Sequence, residues 1–257
     1  MDSDKQAELR RYDDRAMSRL AAAELAPPEL DGVGSLPAYL RAPYLHYQAM
    51  AAELIRPQHS VLELGSGTGS HTLALASSGA RVIATDISLH SLKYLKRRLD
   101  AQGVAVQTLV ADMEALPFAD NAFDVVACAG SLSYGDPARV DSEIRRVLRP
   151  GGCFICVDSL NHNPVYRVNR LIHCYRGNRT RSTLARMPNL ARIKQISRMF
   201  LASKVRYFGA LSFVMPVMVS VIGQERSSRF SDWFDHCVDI RRSAFKFVLV
   251  AQNLDKS

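Results

Sequence analysis

The chain has 257 residues, 47% of them hydrophobic and 23% charged, the proportions of a soluble globular protein with one domain, or one domain and an elaboration, around a substantial core. Its net charge of +8 is uneven: residues 1–158 hold 16 Lys/Arg against 20 Asp/Glu, and residues 159–257 hold 17 against 5, which points to an anionic partner for the C-terminal part. Five cysteines without framework spacing argue against a disulfide scaffold and fit a reducing compartment, the cytoplasm.

The first stretch, Met1 to Arg19, is polar and carries both charge signs, so it does not read as a secretory signal. Residues 4–25 carry a helical pattern. Pro27-Pro28 and Gly32 to Gly34 then break the chain before an aromatic-rich helix, Ala38 to Ile55. Residues 1–58 are therefore expected to form a helical N-terminal cap.

From residue 59 short apolar runs alternate with helical patterns. Strands are expected at 60–64, 81–85, 104–110, 122–128 and 152–158, and helices between them at 70–78, 88–102 and 137–148. This alternation calls for right-handed strand–helix–strand units around a parallel sheet. Arg149-Pro150-Gly151-Gly152 reads as a break that ends the last of these helices and turns into the fifth strand. The first strand runs into Gly65-Ser-Gly67-Thr-Gly69, where glycines allow a sharp turn and a close approach to a ligand. The free N–H groups of the helix behind them suit a carboxylate or phosphate. Asp86, at the tip of the second strand, is placed to accept hydrogen bonds from ribose hydroxyls. Together these features predict a nucleoside-containing ligand.

Glycine spacing narrows the choice. The dinucleotide fingerprint would need glycine at Ser70, and a phosphate-binding Walker loop would need Lys followed by Ser or Thr there. Glu63-x-Gly65-x-Gly67-x-Gly69 instead resembles the first motif of class I S-adenosylmethionine-dependent methyltransferases. Asp86, Ala111-Asp112-Met113, Leu116-Pro117-Phe118 with Phe123-Asp124-Val125, and Leu148 to Gly152 match that family in the same order. Across about 60–158 the chain is similar to the branch that includes ubiquinone/menaquinone-biosynthesis methyltransferases. The resemblance implies a Rossmann-like, doubly wound α/β fold. Its seven-stranded sheet would be mostly parallel with an antiparallel last strand, and the 59–160 core would carry helical N- and C-terminal elaborations. It also implies S-adenosylmethionine as cofactor and S-adenosylhomocysteine as product. Gly65, Gly67 and Gly69 would form the loop at the methionine part and Glu63 would steady it. Asp86 would hold the ribose diol and Ile87 cover the adenine. Asp112 would meet the adenine amino group with Met113 on the ring face, and Ala129 and Gly130 would border the methionine end.

Cys153-Phe-Ile-Cys156 lies in an apolar strand with no second cysteine pair, so it reads as packing rather than a metal or redox site. Methyl transfer to a hydroxyl needs in-line positioning and removal of a proton. Candidates near the ends of the fourth and fifth strands are Tyr134, Asp158 and His162, with His162 the preferred base. His71 and His90, on helices beside the loop, read as packing or solvent-lining residues.

Beyond Asp158 the rhythm changes, and 161–257 is expected to bind substrate and complete the sheet. A basic helical stretch covers about 164–202, interrupted near Gly177 and Pro188, and no acidic residue occurs between Asp158 and Glu225. A strand candidate follows (Lys204 to Phe208). The uncharged segment Phe208 to Gly223 spans roughly 24 Å as a helix, short of a ~30 Å hydrocarbon core, so a buried or interfacial helix is expected there. A helix candidate (Ser231 to Arg241) and a strand (Ala244 to Ala251) close the chain. Asn163 to Arg170, Arg176 to Thr183 and Met187-Pro188 resemble methyltransferases of bacterial surface-polysaccharide clusters, which implies a sugar hydroxyl on a glycan or lipid-linked glycan as acceptor. Arg167, Arg170, Arg179 and Arg181 would then bind phosphate, and the apolar segment would rest on an anionic membrane surface. A lipophilic small molecule such as a quinone precursor or polyketide is the alternative acceptor. An RNA substrate would explain the charge, but no RNA-binding module is recognisable.

Overall fold

The computed structural model describes residues 3–23, 33–175, 180–238 and 240–253. Seven strands form one sheet: β1 (Ser60–Leu64), β2 (Arg81–Asp86), β3 (Gln107–Val110), β4 (Phe123–Ala129), β5 (Leu148–Ser159), β6 (Ala202–Phe208) and β7 (Lys246–Gln252). Their order is β3-β2-β1-β4-β5-β7-β6, with only β7 antiparallel to its neighbours. This is the doubly wound, mostly parallel sheet the motifs imply. The chain reverses direction across the sheet between β1 and β4, which opens a crevice at the carboxyl ends of those strands.

β1 is buried along its whole length, because helices cover both faces of a parallel sheet. On one side Leu62, Leu64, Val126, Cys128, Phe154 and Cys156 share a core with α5 (Pro137–Val147) and α8 (Leu190–Arg198). On the other side Val61, Val125, Cys153 and Ile155 pack with α2 (Ala42–Leu54), α3 (Thr72–Ala76) and α4 (Leu89–Ala101). Cys153 and Cys156 thus face opposite sides of the sheet, and burial pushes the Cys153 thiol up to about 12 and Cys156 well above its usual value. Both are free thiols in the packing role expected of them.

Several local outcomes differ from the sequence reading. The helix expected over Ala38 to Ile55 is split into a short 3-10 turn, Ala38–Leu40, and α2, since Pro43 fits only a helix's first turn. Arg149-Pro150-Gly151-Gly152 does not separate helix from strand. β5 begins at Leu148, which pairs with Phe123, and the register then jumps to Val125 opposite Cys153. Gly152 makes that bulge possible, because a Cβ there would lie 2.9 Å from the Arg149 carbonyl and 3.0 Å from that of Asp124. The basic stretch forms α6 (Pro164–Tyr175), α7 (Arg181–Arg186) and α8, and the uncharged segment forms α9 (Met215–Ile222), followed by α10 (Gln224–Cys237).

α1 (Ser3–Ala23) lies over the crevice and packs mainly on α4. Asp13 accepts hydrogen bonds from Ser88 Oγ at 2.6 Å and lies 3.2 Å from His90 Nδ1. Arg19 donates to Thr68 Oγ1 at 2.8 Å.

Candidate active site

The crevice holds a cavity of about 340 Å³ walled by the β1 loop, the ends of β2 and β4, residues 111–113 and α1. The loop is built by positive-φ glycines. Gly65, at φ +63, lies so close to the chain after β4 that a Cβ would sit 2.5 Å from Ser131 Cβ. Gly67, at φ +53, faces open space. Ser131 Oγ ties the two segments together by donating to the Leu64 carbonyl at 2.8 Å.

Both oxygens of Asp86 are held: Oδ2 accepts from Gly67 N and Oδ1 from Ser88 N, each at 2.8 Å. Burial raises its pKa, partly countered by those two bonds. Asp86 lines the cavity. Asp112 Oδ1 caps the next turn through Glu114 N, at 3.0 Å. Met113 is buried in the cavity wall, with Ala111 and Ile87 alongside. Glu63 is fully enclosed and accepts from Thr72 Oγ1 at 2.6 Å. Burial, with a smaller push from Asp86, raises its pKa to about 7.

At the loop's other side stands His71. Its ring stacks on Tyr44 (centroids 5.2 Å apart, planes 15° apart) and meets the edge of Tyr47 at 5.5 Å. It is buried and lines the cavity, and Nδ1 has no hydrogen-bond partner. Burial, reinforced by the positive charge of Lys246, lowers its pKa to about 4, so the ring is neutral near pH 7. Ser66 Oγ and Tyr47 Oη are also buried and unpartnered. Across the cavity Tyr12 Oη donates to Tyr134 Oη at 2.5 Å with the rings edge-on.

Glu63, Gly65, Gly67, Asp86, Ile87, Asp112, Met113, Ala129, Gly130 and Tyr134 therefore meet around one cavity. Gly69 stands behind it, packed so closely on α4 that a Cβ would lie 2.2 Å from Leu95 Cδ1. Other residues fall elsewhere. Asp158 does not line the cavity; buried, it accepts from Leu132 N at 3.0 Å and Ser159 N at 2.6 Å, and so holds the 3-10 turn Leu132–Tyr134. His162 is half-buried in the loop between β5 and α6 and does not line the cavity either. Arg170 is buried and donates to the Leu160 carbonyl at 2.9 Å, which makes it a structural cation rather than a free substrate anchor. Arg167 and Arg181 line a separate groove between α6 and α7, beside Val168, Leu171, Ile172 and Leu184. Arg179 lies outside the described residues.

Sequence reasoning missed the contribution of α1. Lys5, Glu8, Tyr12, Arg15 and Arg19 all line the cavity. Lys5 Nζ lies 2.5 Å from Asp112 Oδ2 and 3.1 Å from Glu114 Oε1. Glu8 Oε1 accepts from Thr180 N, Thr180 Oγ1 and Thr183 Oγ1, each at 3.0 Å, and so ties α1 to the N-terminus of α7. No local pattern marks these contacts. His71 did carry a signal, since it follows the glycine loop directly.

Residues 62–156 match a family model described as a methyltransferase domain. The chain is 40% identical over 107 residues to the ubiquinone/menaquinone biosynthesis C-methyltransferase UbiE of Acidiphilium cryptum, covering 40% of this chain and 43% of that one. It is 35% identical over 114 residues to the demethylmenaquinone methyltransferase of Thermus thermophilus, covering 43% of this chain and 52% of that one. An uncharacterized protein of Mycobacterium tuberculosis is 38% identical over 104 residues, 40% of this chain and 38% of its own length. The match thus spans about half or less of these relatives' length. Among solved structures, Haemonchus contortus phosphoethanolamine N-methyltransferase 2 with S-adenosyl-L-methionine superposes with a TM-score of 0.60 at 19% identity, over 83% of this chain and 53% of that one. Geranyl diphosphate C-methyltransferase of Streptomyces coelicolor, with geranyl diphosphate and S-adenosyl-L-homocysteine, superposes with a TM-score of 0.59 at 16% identity, over 84% of this chain and 81% of that one. At these identities the structures share the fold.

Proposed function

We propose that the protein transfers a methyl group from S-adenosylmethionine to an acceptor hydroxyl presented at the cavity beside His71, leaving S-adenosylhomocysteine. The observation that carries this reading is the convergence of the glycine loop, Asp86, Asp112 and Met113 on one cavity that the unpartnered Ser66 Oγ and His71 Nδ1 also line. These residues fit the cofactor. Asp86 and Asp112 are acceptors for hydroxyl and amino donors, Met113 and Ile87 are apolar faces for a purine, and Gly67 leaves space where any side chain would intrude. Ser66 Oγ is buried without a partner, as expected where a polar ligand completes the site. When bound, the cofactor supplies an electrophilic methyl group on a sulfonium.

The chain's own task is to position the acceptor and take its proton. Within the cavity His71 is the neutral imidazole available for that. Tyr12 and Tyr134 border the cavity and would orient the acceptor, and Asp158 supports Tyr134 from behind through Leu132 N.

For the acceptor we infer a sugar hydroxyl on a phosphate-bearing glycolipid or glycan. The α6–α7 groove supports this, since it sets Arg167 and Arg181 beside Val168, Leu171 and Ile172, a surface suited to an apolar chain joined to an anionic group. A lipid-borne acceptor also calls for contact with an anionic membrane surface. The second reading is a lipophilic quinone precursor. It is favoured by the activities for which the Acidiphilium and Thermus relatives are named, but it gives Arg167 and Arg181 no role.

The test is incubation of the protein with methyl-labelled S-adenosylmethionine and a bacterial lipid extract, followed by fractionation. Label in a phosphate-bearing glycolipid that Arg167→Ala and Arg181→Ala abolish is the expected result. Label in a neutral quinone fraction, indifferent to both substitutions, would replace it with the second reading, and failure to bind the cofactor at all would overturn both.

A further inference from the structure

α1 turns one row of side chains to the cavity: Lys5, Glu8, Tyr12, Arg15 and Arg19, spaced alternately three and four apart and hence on one helix face. Four of them meet a partner on another element. Lys5 reaches Asp112 at 2.5 Å, Glu8 accepts from Thr180 and Thr183, Tyr12 donates to Tyr134 at 2.5 Å, and Arg19 donates to Thr68 at 2.8 Å. Arg15 has no hydrogen-bond or ion-pair partner among the described residues. Its neighbours in the row fix where it stands. Tyr12 is held to the turn after β4 and Arg19 to the glycine loop, so Arg15 lies between those two points, about 15 Å along the helix from Lys5. The loop beneath is open to a ligand. A Cβ on Gly67 would have nothing within 4 Å, and Ser66 Oγ, buried in the same wall, has no partner.

The charges around the cavity select what Arg15 binds. Glu63, Asp86 and Asp112 line it too, and these carboxylates repel an anionic group. Lys5 is already paired with Asp112 and Glu114, and Arg19 is bonded to Thr68, which leaves Arg15 as the cation without a partner at the loop end. S-adenosylmethionine carries one anionic group, the α-carboxylate of its methionine part. We propose that Arg15 is the anchor for that carboxylate, holding it from α1 above the glycine loop. A planar guanidinium offers a carboxylate two parallel N–H donors, a charge-assisted pair stronger than a neutral hydrogen bond. Arg15 is exposed, so solvent screens the pair and its effect is nearer tenfold than a hundredfold. The order along α1 agrees: Lys5 stands at Asp112 and Arg15 toward the loop, as the methyltransferase resemblance orders adenine and methionine. The assignment rests on S-adenosylmethionine being the ligand of this cavity, and adds to that reading the residue that holds the ligand's amino-acid end.

The test removes the charge from each side in turn. Calorimetry on the full chain would compare S-adenosylhomocysteine with S-adenosyl-3-thiopropylamine, the same compound without its carboxylate, for the parent, Arg15→Ala and Arg15→Lys. The parent should bind S-adenosylhomocysteine about tenfold more tightly than the decarboxylated compound, and added salt should narrow that preference. Arg15→Ala should weaken S-adenosylhomocysteine by about tenfold and leave the decarboxylated compound within about twofold, which also shows that the variant folds. Arg15→Lys should recover part of the loss, because it keeps the charge without the fork. Equal weakening of both compounds would overturn the proposal, since Arg15 would then support α1 rather than bind the carboxylate. So would an unchanged affinity for S-adenosylhomocysteine in Arg15→Ala. A parent that binds neither compound would remove the cofactor reading itself, and the assignment with it.

Discussion

The ammonium of Lys5 lies 2.5 Å from Oδ2 of Asp112, across 107 residues of sequence, and closes α1 over the cavity. Asp112 is the carboxylate that the methyltransferase resemblance assigns to the adenine amino group. One carboxylate would then serve both the cap and the ligand. Lys5→Met should loosen the cap, because Asp112 loses its ammonium partner on α1 while Glu114 keeps Arg139, 3.7 Å away. We expect S-adenosylhomocysteine to dissociate about tenfold faster, measured by stopped-flow fluorescence. An unchanged rate would mean that α1 does not gate the cavity.

Asp86 organises the loop as well as lining the cavity, since Gly67 N and Ser88 N both donate to it. Asp86→Ala should weaken cofactor binding by at least about 100-fold, or ~2.7 kcal/mol. Calorimetry decides this, with circular dichroism to confirm that the sheet is intact.

His71 and His162 make opposite predictions. His71→Ala should lower single-turnover methyl transfer by about 100-fold, with affinity for S-adenosylhomocysteine retained. His162→Ala should leave the rate near normal, because that residue does not line the cavity. With the His71 pKa lowered to about 4, the rate should be flat around neutral pH and fall only as the ring protonates on acidification. A rate-limiting titration near neutral pH that persists in His71→Ala would reject this residue as the base.

Glu63 gives a stability prediction with a definite sign. Its folded-state pKa is raised from 4.5 to about 7, so the folded protein binds the proton more tightly than the unfolded chain does. Stability from this group is present below the unfolded value and is lost as pH rises through the interval up to about 7. The full shift corresponds to about 3 kcal/mol. Glu63→Gln should remove that slope, so that urea midpoints of the variant and the parent diverge on going from acidic to alkaline pH. Parallel curves would show that Glu63 does not titrate there.

The fold and the glycine-loop side of the cavity were legible because both are local. Strand β1, the positive-φ glycines and Asp86 follow one another within 27 residues, and each needs its residue type for a backbone reason. The rest depends on what folds against what. Arg167 and Arg170 look alike in sequence, yet one helical turn puts the first in an open groove and the second on the Leu160 carbonyl. The five cavity-lining residues of α1 read as an ordinary charged helix until its packing on α4 is seen. Leu148 to Gly152 read as a break because proline and glycine usually end elements, whereas here they build a bulge that Arg149 clamps through Asp124 at 2.8 Å.

The strand order carries a consequence for how the chain is made. β7 is the seventh strand in sequence but sits between β5 and β6, so β6 has no partner until β7 is inserted. During synthesis the open edge of β5, with the apolar run Cys153 to Val157, waits nearly a hundred residues for its neighbour. An unpaired apolar edge is where nascent chains associate wrongly. Losing β7 would therefore remove two strands from the sheet rather than one.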